Sequence, residues 1–188
     1  MPDKNTDSVL TDLSQSIGKL VSLHGLSKLI PEVGSNFVFC HPNSKQLTKV
    51  AGLTGRIILV RGKPEAVGEV DYGWAPYMGP VILLAHQLDR NIRSAISLRY
   101  SPSIVDACKK IGLNVVEFQL PDNQSNLDCV AISALKFIGS VPQALFDTGA
   151  IGLEALVILF ASSPDQIVKW VQEILSKLKP NVREACGR

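Results

Sequence analysis

From residue 94 onward the chain alternates between short extended runs and helical stripes, and this alternation restricts the fold more than any other feature. Residues 94–100 read as a strand, 103–111 as a helix capped by Ser101 or Ser103, and 114–119 as a strand. Residues 127–137 are helical and 144–147 form a short strand. Residues 155–161 are an aliphatic and β-branched run suited to another strand. The last helix is the most sharply written. Ser163 caps it, Pro164 takes its first position, and Asp165 brings a carboxylate to the positive end of the helix dipole. Ile167, Val168, Val171, Ile174, Leu175 and Leu178 then recur on one helical face.

The first half is less regular. Val9, Leu10, Leu13, Ile17, Leu20 and Val21 mark a helix over about residues 8–23, with Asp7 as its N-cap. A loop over 29–35 feeds a strand at 36–40, followed by a turn at 41–44 and a polar stretch to residue 53. Residues 56–60 and 66–70 read as a hairpin joined through Gly62, Lys63 and Pro64. Gly73 and Pro76 break the loop over 72–78, and residues 81–88 are apolar nearly all round, as in a buried helix with Pro80 in its first turn. Strands mixed with helices throughout, including a hairpin, imply a three-layer α/β/α fold with a mixed sheet. Its 188 residues fit one domain, with a mobile tail over about residues 180–188.

Composition narrows the function classes. Charged residues are 19% and hydrophobic residues 46%, which excludes a disordered chain and suffices for a core. A net charge of only +2 argues against direct nucleic-acid binding, because a nucleic-acid-coating surface concentrates basic charge on one face. Cys40, Cys108, Cys129 and Cys186 have neither zinc-clip nor thioredoxin spacing, so they read as reduced structural thiols and no metal site is expected. The opening MPDKNTDS is polar with no apolar run behind it, and no stretch is long and apolar enough for a membrane. The expectation is a cytoplasmic protein with no membrane partner.

Few residues are candidates for chemistry. There is no G-x-x-x-x-G-K-[ST], G-x-G-x-x-G or H-E-x-x-H. The segment Gly149-Ala150-Ile151-Gly152 reads either as a tight turn needing positive φ or as a loop whose amides face an anion, flanked by Asp147 and Glu154. Arg93 and Arg99 are six residues apart and, on a regular strand, share a face with Ala95 and Ser97. Two guanidiniums there could grip a pyrophosphate, or simply be solvated strand ends. His24, His41 and His86 have no nucleophile or carboxylate partner nearby in sequence and read as structural. Trp74, in a Gly/Pro loop, could close over a flat ring.

The order of the segments resembles a known family. Residues 29–36 (LIPEVGSN), Gly55-Arg56-Ile57, Gly68, Gly73, residues 92–101 and residues 146–154 (FDTGAIGLE) follow one another as in the ThiN-type thiamine-phosphate synthase domain. That family is archaeal-centred and often fused to a pyrimidine kinase or a DNA-binding helix-turn-helix. The resemblance spans about residues 8–178. It implies a class II aldolase (AraD)-like fold and the joining of hydroxymethylpyrimidine diphosphate to a thiazole phosphate, with release of pyrophosphate. Arg56 matches the family's G-R-I arginine, and Asp147, Gly149, Gly152 and Glu154 match its D-x-G-x-x-G-x-E loop. Arg93, Arg99 and Tyr100 match its central R-x-A-x-N-I-R-Y strand.

The departures are equally specific. Where the family loop reads G-A-S-x-H-x-x-R, this chain has Tyr77 for the histidine and Pro80 for the arginine. Ser97 replaces an asparagine, and Leu153 replaces a lysine often found before the glutamate. A neutral tyrosine is a poor substitute for a cation. The resemblance therefore implies a ligand site of Arg56, Tyr77, Trp74, Arg93, Ser97, Arg99, Asp147, Gly149, Gly152 and Glu154, with binding of thiamine phosphate or its precursors and impaired catalysis. The alternatives are an active synthase with re-sited pyrophosphate contacts and a ligand-sensing module acting through a partner. A diphosphate substrate would bring magnesium on its own oxygens. No other cofactor is implied, and a homo-oligomer is compatible with the pattern.

Overall fold

The computed structural model describes residues 8–118 and 130–178. In chain order the elements are α1 (Ser8–Val21), β1 (Phe37–Cys40), β2 (Val50–Leu53), β3 (Ile57–Val60), β4 (Lys63–Ala66), β5 (Val70–Tyr72) and α2 (Met78–Leu88). There follow β6 (Ser94–Arg99), α3 (Pro102–Lys110), β7 (Val115–Glu117), α4 (Val130–Ile138), β8 (Ala144–Phe146), β9 (Leu156–Ala161) and α5 (Pro164–Lys177). Seven strands form one sheet in the order β5-β2-β1-β6-β9-β8-β7, while β3 and β4 form a separate ribbon.

The centre is the antiparallel pair β6–β9, in register from Ser94↔Ala161 to Arg99↔Leu156. Every residue of β9 is buried, which explains an unbroken aliphatic run: both faces of this strand are covered. Phe37, Ile96, Leu98, Val157 and Leu159 point to the layer made by α1, α3 and α5. Val38, Ala95, Ile158 and Phe160 point to the layer made by α2 and α4. The pair β7–β8 is parallel and the other main-sheet pairs are antiparallel, so the sheet is mixed and the architecture is three-layer α/β/α.

Local signals explain the helix ends. The Ser101 hydroxyl accepts from the Ile104 amide at 3.2 Å, and the Ser163 hydroxyl accepts from the Gln166 amide at 3.3 Å. Each is followed by a proline in the first turn, whose missing N–H has no partner to lose. Asp7, residues 127–129 and the tail at 180–188 lie outside the described residues.

Two expectations are corrected. The polar stretch to residue 53 hides β2, because Gly52 reads as a breaker in sequence. In the fold its missing side chain admits close packing: a Cβ there would sit 3.2 Å from Ala75 Cβ and 3.4 Å from Val38 Cγ1. The hairpin exists, but its turn is Arg61-Gly62, with φ of 50° and 79° at the two positions. That is the geometry favoured by two-residue hairpins. Lys63 and Pro64 therefore belong to β4, where the two-stranded ribbon leaves room for a proline. Of the expected 66–70 strand only Ala66 ends β4 and Val70 opens β5, at the edge of the main sheet.

Cys40 and Cys108 are buried free thiols, and burial pushes both up to about 11, so they stay protonated and pack as small apolar groups. No described helix is long and apolar enough to cross a membrane.

Candidate functional site

Strand directions decide which predicted residues can meet. The C-terminal end of β6 lies beside the start of β9, the end of β8, the start of β1 and the end of β2. Arg56, Arg99, Asp147, the Gly149–Gly152 turn and Glu154 all sit at this end. Arg93, just before β6, sits at the other, while the loop after β5 turns back over the sheet, with Ala75 against the position of Gly52.

At the first end, Arg56 and Glu154 converge on one short loop. One Glu154 carboxylate oxygen accepts from the Glu32 amide at 2.8 Å, the other from the Val33 amide at 3.0 Å. Arg56 Nη1 donates to the Val33 carbonyl at 2.6 Å. The same loop is tied to β3 by the exchange of two backbone bonds between Ser35 and Ile57, at 2.8 and 3.0 Å. Glycine is required at position 34: φ is +80°, and a Cβ would press on Ile58 Cγ2 at 3.0 Å. Arg56 and Glu154, 98 residues apart in sequence, thus clamp one loop at the rim of the sheet.

The Gly149–Gly152 segment is a tight turn. Ala150 and Leu153 exchange backbone bonds at 3.1 and 2.9 Å, with Gly152 at φ +78° in the position that demands glycine. The Asp147 carboxylate accepts from the Gly149 amide at 2.9 Å. The amides of Gly149, Ala150 and Leu153 are thereby used within the loop. An anion-facing row of amides, one of the two sequence readings, is to that extent filled from inside.

Asp147 has the most perturbed environment here. Burial pushes its carboxyl above the usual aspartate value, against the opposing effect of the amides of Gly149 and Leu156. Its folded value therefore lies above its unfolded one. The carboxyl favours folding fully below the ordinary aspartate range, and that contribution is lost as pH rises through the raised value. A carboxyl held this way beside an open turn suits ligand contact better than stability.

One residue escaped the sequence reading. Asn36 continues the Val38–Cys40 alternation and so faces the α2/α4 side of the sheet, where a polar residue breaks the apolar pattern. By the same alternation Ser97, Arg99 and Asp147 share that face. Ser97 is buried, and its hydroxyl accepts from the Asn36 amide at 3.0 Å. The α2/α4 layer packs on Val38, Ala95, Leu145, Ile158 and Phe160, and beyond them half-buried Asn36, Arg99 and Asp147 form a polar ledge. Arg99 and Asp147 lie on strands two places apart, roughly 10 Å at the usual strand spacing. The signal was present in sequence: a polar residue at an inward position of a strand.

At the opposite end, the Arg93 side chain is committed to structure. Its Nε and Nη2 donate to the Cys40 carbonyl at 3.0 and 2.9 Å, and its guanidinium carbon lies 4.3 Å from the Phe39 ring centroid. Six residues of extended chain, roughly 20 Å, separate it from Arg99, so the expected joint grip on one pyrophosphate does not form within a chain. Trp74 is 56% exposed in its loop. Tyr77 is half-buried at the start of α2 and packs on the core there. Among the described residues no group of three His, Cys, Asp or Glu side chains could hold a metal ion.

Comparison with known proteins gives this arrangement a family. The model for "Thiamine-phosphate synthase ThiN" matches residues 12–173. The chain is similar to the "Bifunctional thiamine biosynthesis protein ThiDN" of Methanocaldococcus jannaschii, 29% identical over 177 residues. The match covers 93% of this chain and 42% of that protein, so this chain spans less than half of that relative. It is also similar to "Thiamine-phosphate synthase ThiN" of Methanothermobacter thermautotrophicus, 25% identical over 178 residues, covering 90% of this chain and 94% of the relative. The crystal structure of the C-terminal domain of protein MJ0236 superposes with a TM-score of 0.79 at 30% identity, over 92% of this chain and 96% of that one. The fold extends, at a TM-score of 0.50 and 12% identity over 89% of this chain and 87% of the other, to YgbL of Escherichia coli, whose name places it among aldolases, epimerases and decarboxylases. That is the aldolase-like fold expected from the resemblance. With 162 of its 188 residues inside the family match, this chain belongs to the thiamine-phosphate synthase ThiN family.

Proposed function

We propose that this domain binds thiamine phosphate or a phosphorylated precursor at the polar ledge and turns it over poorly. Family membership supports the ligand class. The observation that carries the reading is the contrast between the charged groups retained at the C-terminal end of β6 and the uncharged loop over residues 73–80. Arg56, Arg99, Asp147 and Glu154 remain at one end, two cations to meet phosphate and a perturbed carboxyl to meet an amine or ring nitrogen. Between Gly73 and Pro80 there is no charged side chain. Instead Ala75 and Met78 are buried, and Gly79 lies where a Cβ would meet Leu47 Cδ2 at 2.8 Å.

Expelling pyrophosphate demands groups that meet the charge developing on it, and losing one such group slows chemistry about 10²- to 10³-fold. Tyr77 has at most one neutral donor to offer, and Pro80 has none. Binding needs less. Magnesium arriving with a diphosphate would be held mainly by phosphate oxygens, since the described residues offer no carboxylate cluster. We read the protein as acting in the cytoplasm on a small phosphorylated ligand, without direct nucleic-acid contact.

Titration calorimetry is expected to show thiamine phosphate binding that weakens about tenfold or more in Arg99→Ala, the loss of a charge-assisted bond. Incubation of the two phosphorylated precursors is expected to yield no product above background. Rapid product formation would make the protein an active synthase instead. Silence in the calorimeter with every thiamine-pathway phosphate would remove the ligand reading altogether.

A further inference from the structure

A groove of about 580 Å³ runs over the outer surface of the α2/α4 layer, away from the polar ledge. Its floor is Pro80, Leu83, Leu84 and Ile132. On α2, positions 80, 83, 84 and 87 fall on one helical face, so the apolar strip follows the helix. Lys45, Arg90 and Lys136 form the rim, and among the described residues no acidic side chain lines it. The ion pairs of Lys19 and Lys169 with Asp165 lie elsewhere, and none of these three cations pairs with a described acidic residue. A smaller hollow of about 260 Å³ shares Ser44 and Lys45 with the groove and adds Lys49.

Three cations with no acidic residue among the described lining are a local concentration on a chain whose net charge is +2. They call for an anion. The floor calls for something else, a flat or apolar body laid on proline and leucine. Pro80 and Leu88 lie eight helical residues apart, roughly 12 Å, and Arg90 follows just past the helix end. That span fits a ring at one end with its charge extended toward the other, rather than a single small ion. Gln87, exposed in the middle, offers both an amide donor and an acceptor to a ring edge. The volume lies in the range of small-molecule sites, about 300–1,000 Å³.

We propose that the α2/α4 groove is a second ligand site, for a heteroaromatic ring carrying two or more phosphates. The ring lies on Leu83, Leu84 and Ile132, Gln87 reads its edge, and Arg90, Lys136 and Lys45 hold the phosphates. This site is independent of the thiamine phosphate reading. Its ligand would meet α2, the helix that begins at Tyr77, from the outside.

ADP, a ring with two phosphates, is a suitable probe. Calorimetry on the full chain should show binding that weakens as salt is raised, because exposed charges are screened. Arg90→Glu and Lys136→Glu should each lower affinity about tenfold or more, as reversed charges meet the phosphates. Gln87→Glu, at an exposed helix position, should do the same, while Lys177→Glu on α5 should change nothing. Inorganic pyrophosphate should bind at least about tenfold more weakly than ADP, because it leaves the apolar floor uncovered. Excess thiamine phosphate should leave ADP bound. The proposal falls if ADP does not bind, or if pyrophosphate binds as well as ADP. It also falls if the three groove variants bind like the parent, or if thiamine phosphate displaces ADP.

Discussion

Alanine at position 149 is expected to destabilise the domain by about 2–5 kcal/mol, the joint effect of a left-handed backbone and an overfilled contact. Gly149 has φ +75°, and a Cβ there would lie 2.8 Å from the Leu153 carbonyl oxygen and 2.9 Å from the Ala155 amide nitrogen. Both neighbours are backbone and cannot swing aside. The strand they lead into is β9, so relaxing the clash means moving the start of a central strand. Gly152 is the internal control. Its φ is +78°, yet a Cβ there would meet nothing within 4 Å. Gly152→Ala should therefore cost only the conformational share, roughly 1–2 kcal/mol. Urea denaturation of the two variants side by side measures the difference. Equal midpoints would mean that the turn is loose and that Gly149 is not a fitted position.

Glu154→Ala is expected to release the loop formed by residues 31–35. The carboxylate serves two backbone amides at once, and bonds to a charged group contribute about 1.5–3 kcal/mol each when sheltered. Here the loop is exposed and water can replace part of the loss, so a net effect of about 2–3 kcal/mol is expected. The consequence extends to Arg56, whose donor bond ends on the Val33 carbonyl of the same loop. Amide hydrogen exchange should accelerate at Glu32 and Val33 in the variant and remain slow in β6 and β9. Thiamine phosphate affinity should fall with it. Glu154→Gln should be intermediate, because one amide oxygen still accepts while the NH₂ group faces a donor. Unchanged exchange at Glu32 and Val33 would show that the clamp carries no weight.

Some of this was legible in the sequence for a local reason. In α5 and β9 the patterns are complete within a dozen residues: a cap, a proline and an apolar stripe for the helix, an unbroken aliphatic run for the strand. β2 was not legible, because Gly52 serves close packing against Ala75 rather than a turn, and only the partner reveals that. The sequence places the hairpin turn over Gly62, Lys63 and Pro64, because proline is usually a breaker, whereas Arg61 and Gly62 carry the positive φ values. At the candidate site, Arg56 and Glu154 could be nominated from motif likeness. Their shared hold on Val33 brings Glu154 to it across 121 residues of sequence. Nor does segment order say which end of a sheet a loop occupies. Arg93 just precedes the strand that Arg99 ends, yet its length sets them at opposite ends of the sheet.

The account turns on where the ligand sits. Amide-resolved NMR titration with thiamine phosphate tests this most directly. The predicted result is that shift changes cluster at residues 31–36, at Arg99 and Tyr100, and at 147–154, with the amides of 89–93, at the far end of β6, unmoved. Changes centred on 89–93, or a spectrum that does not respond to the ligand, would contradict it.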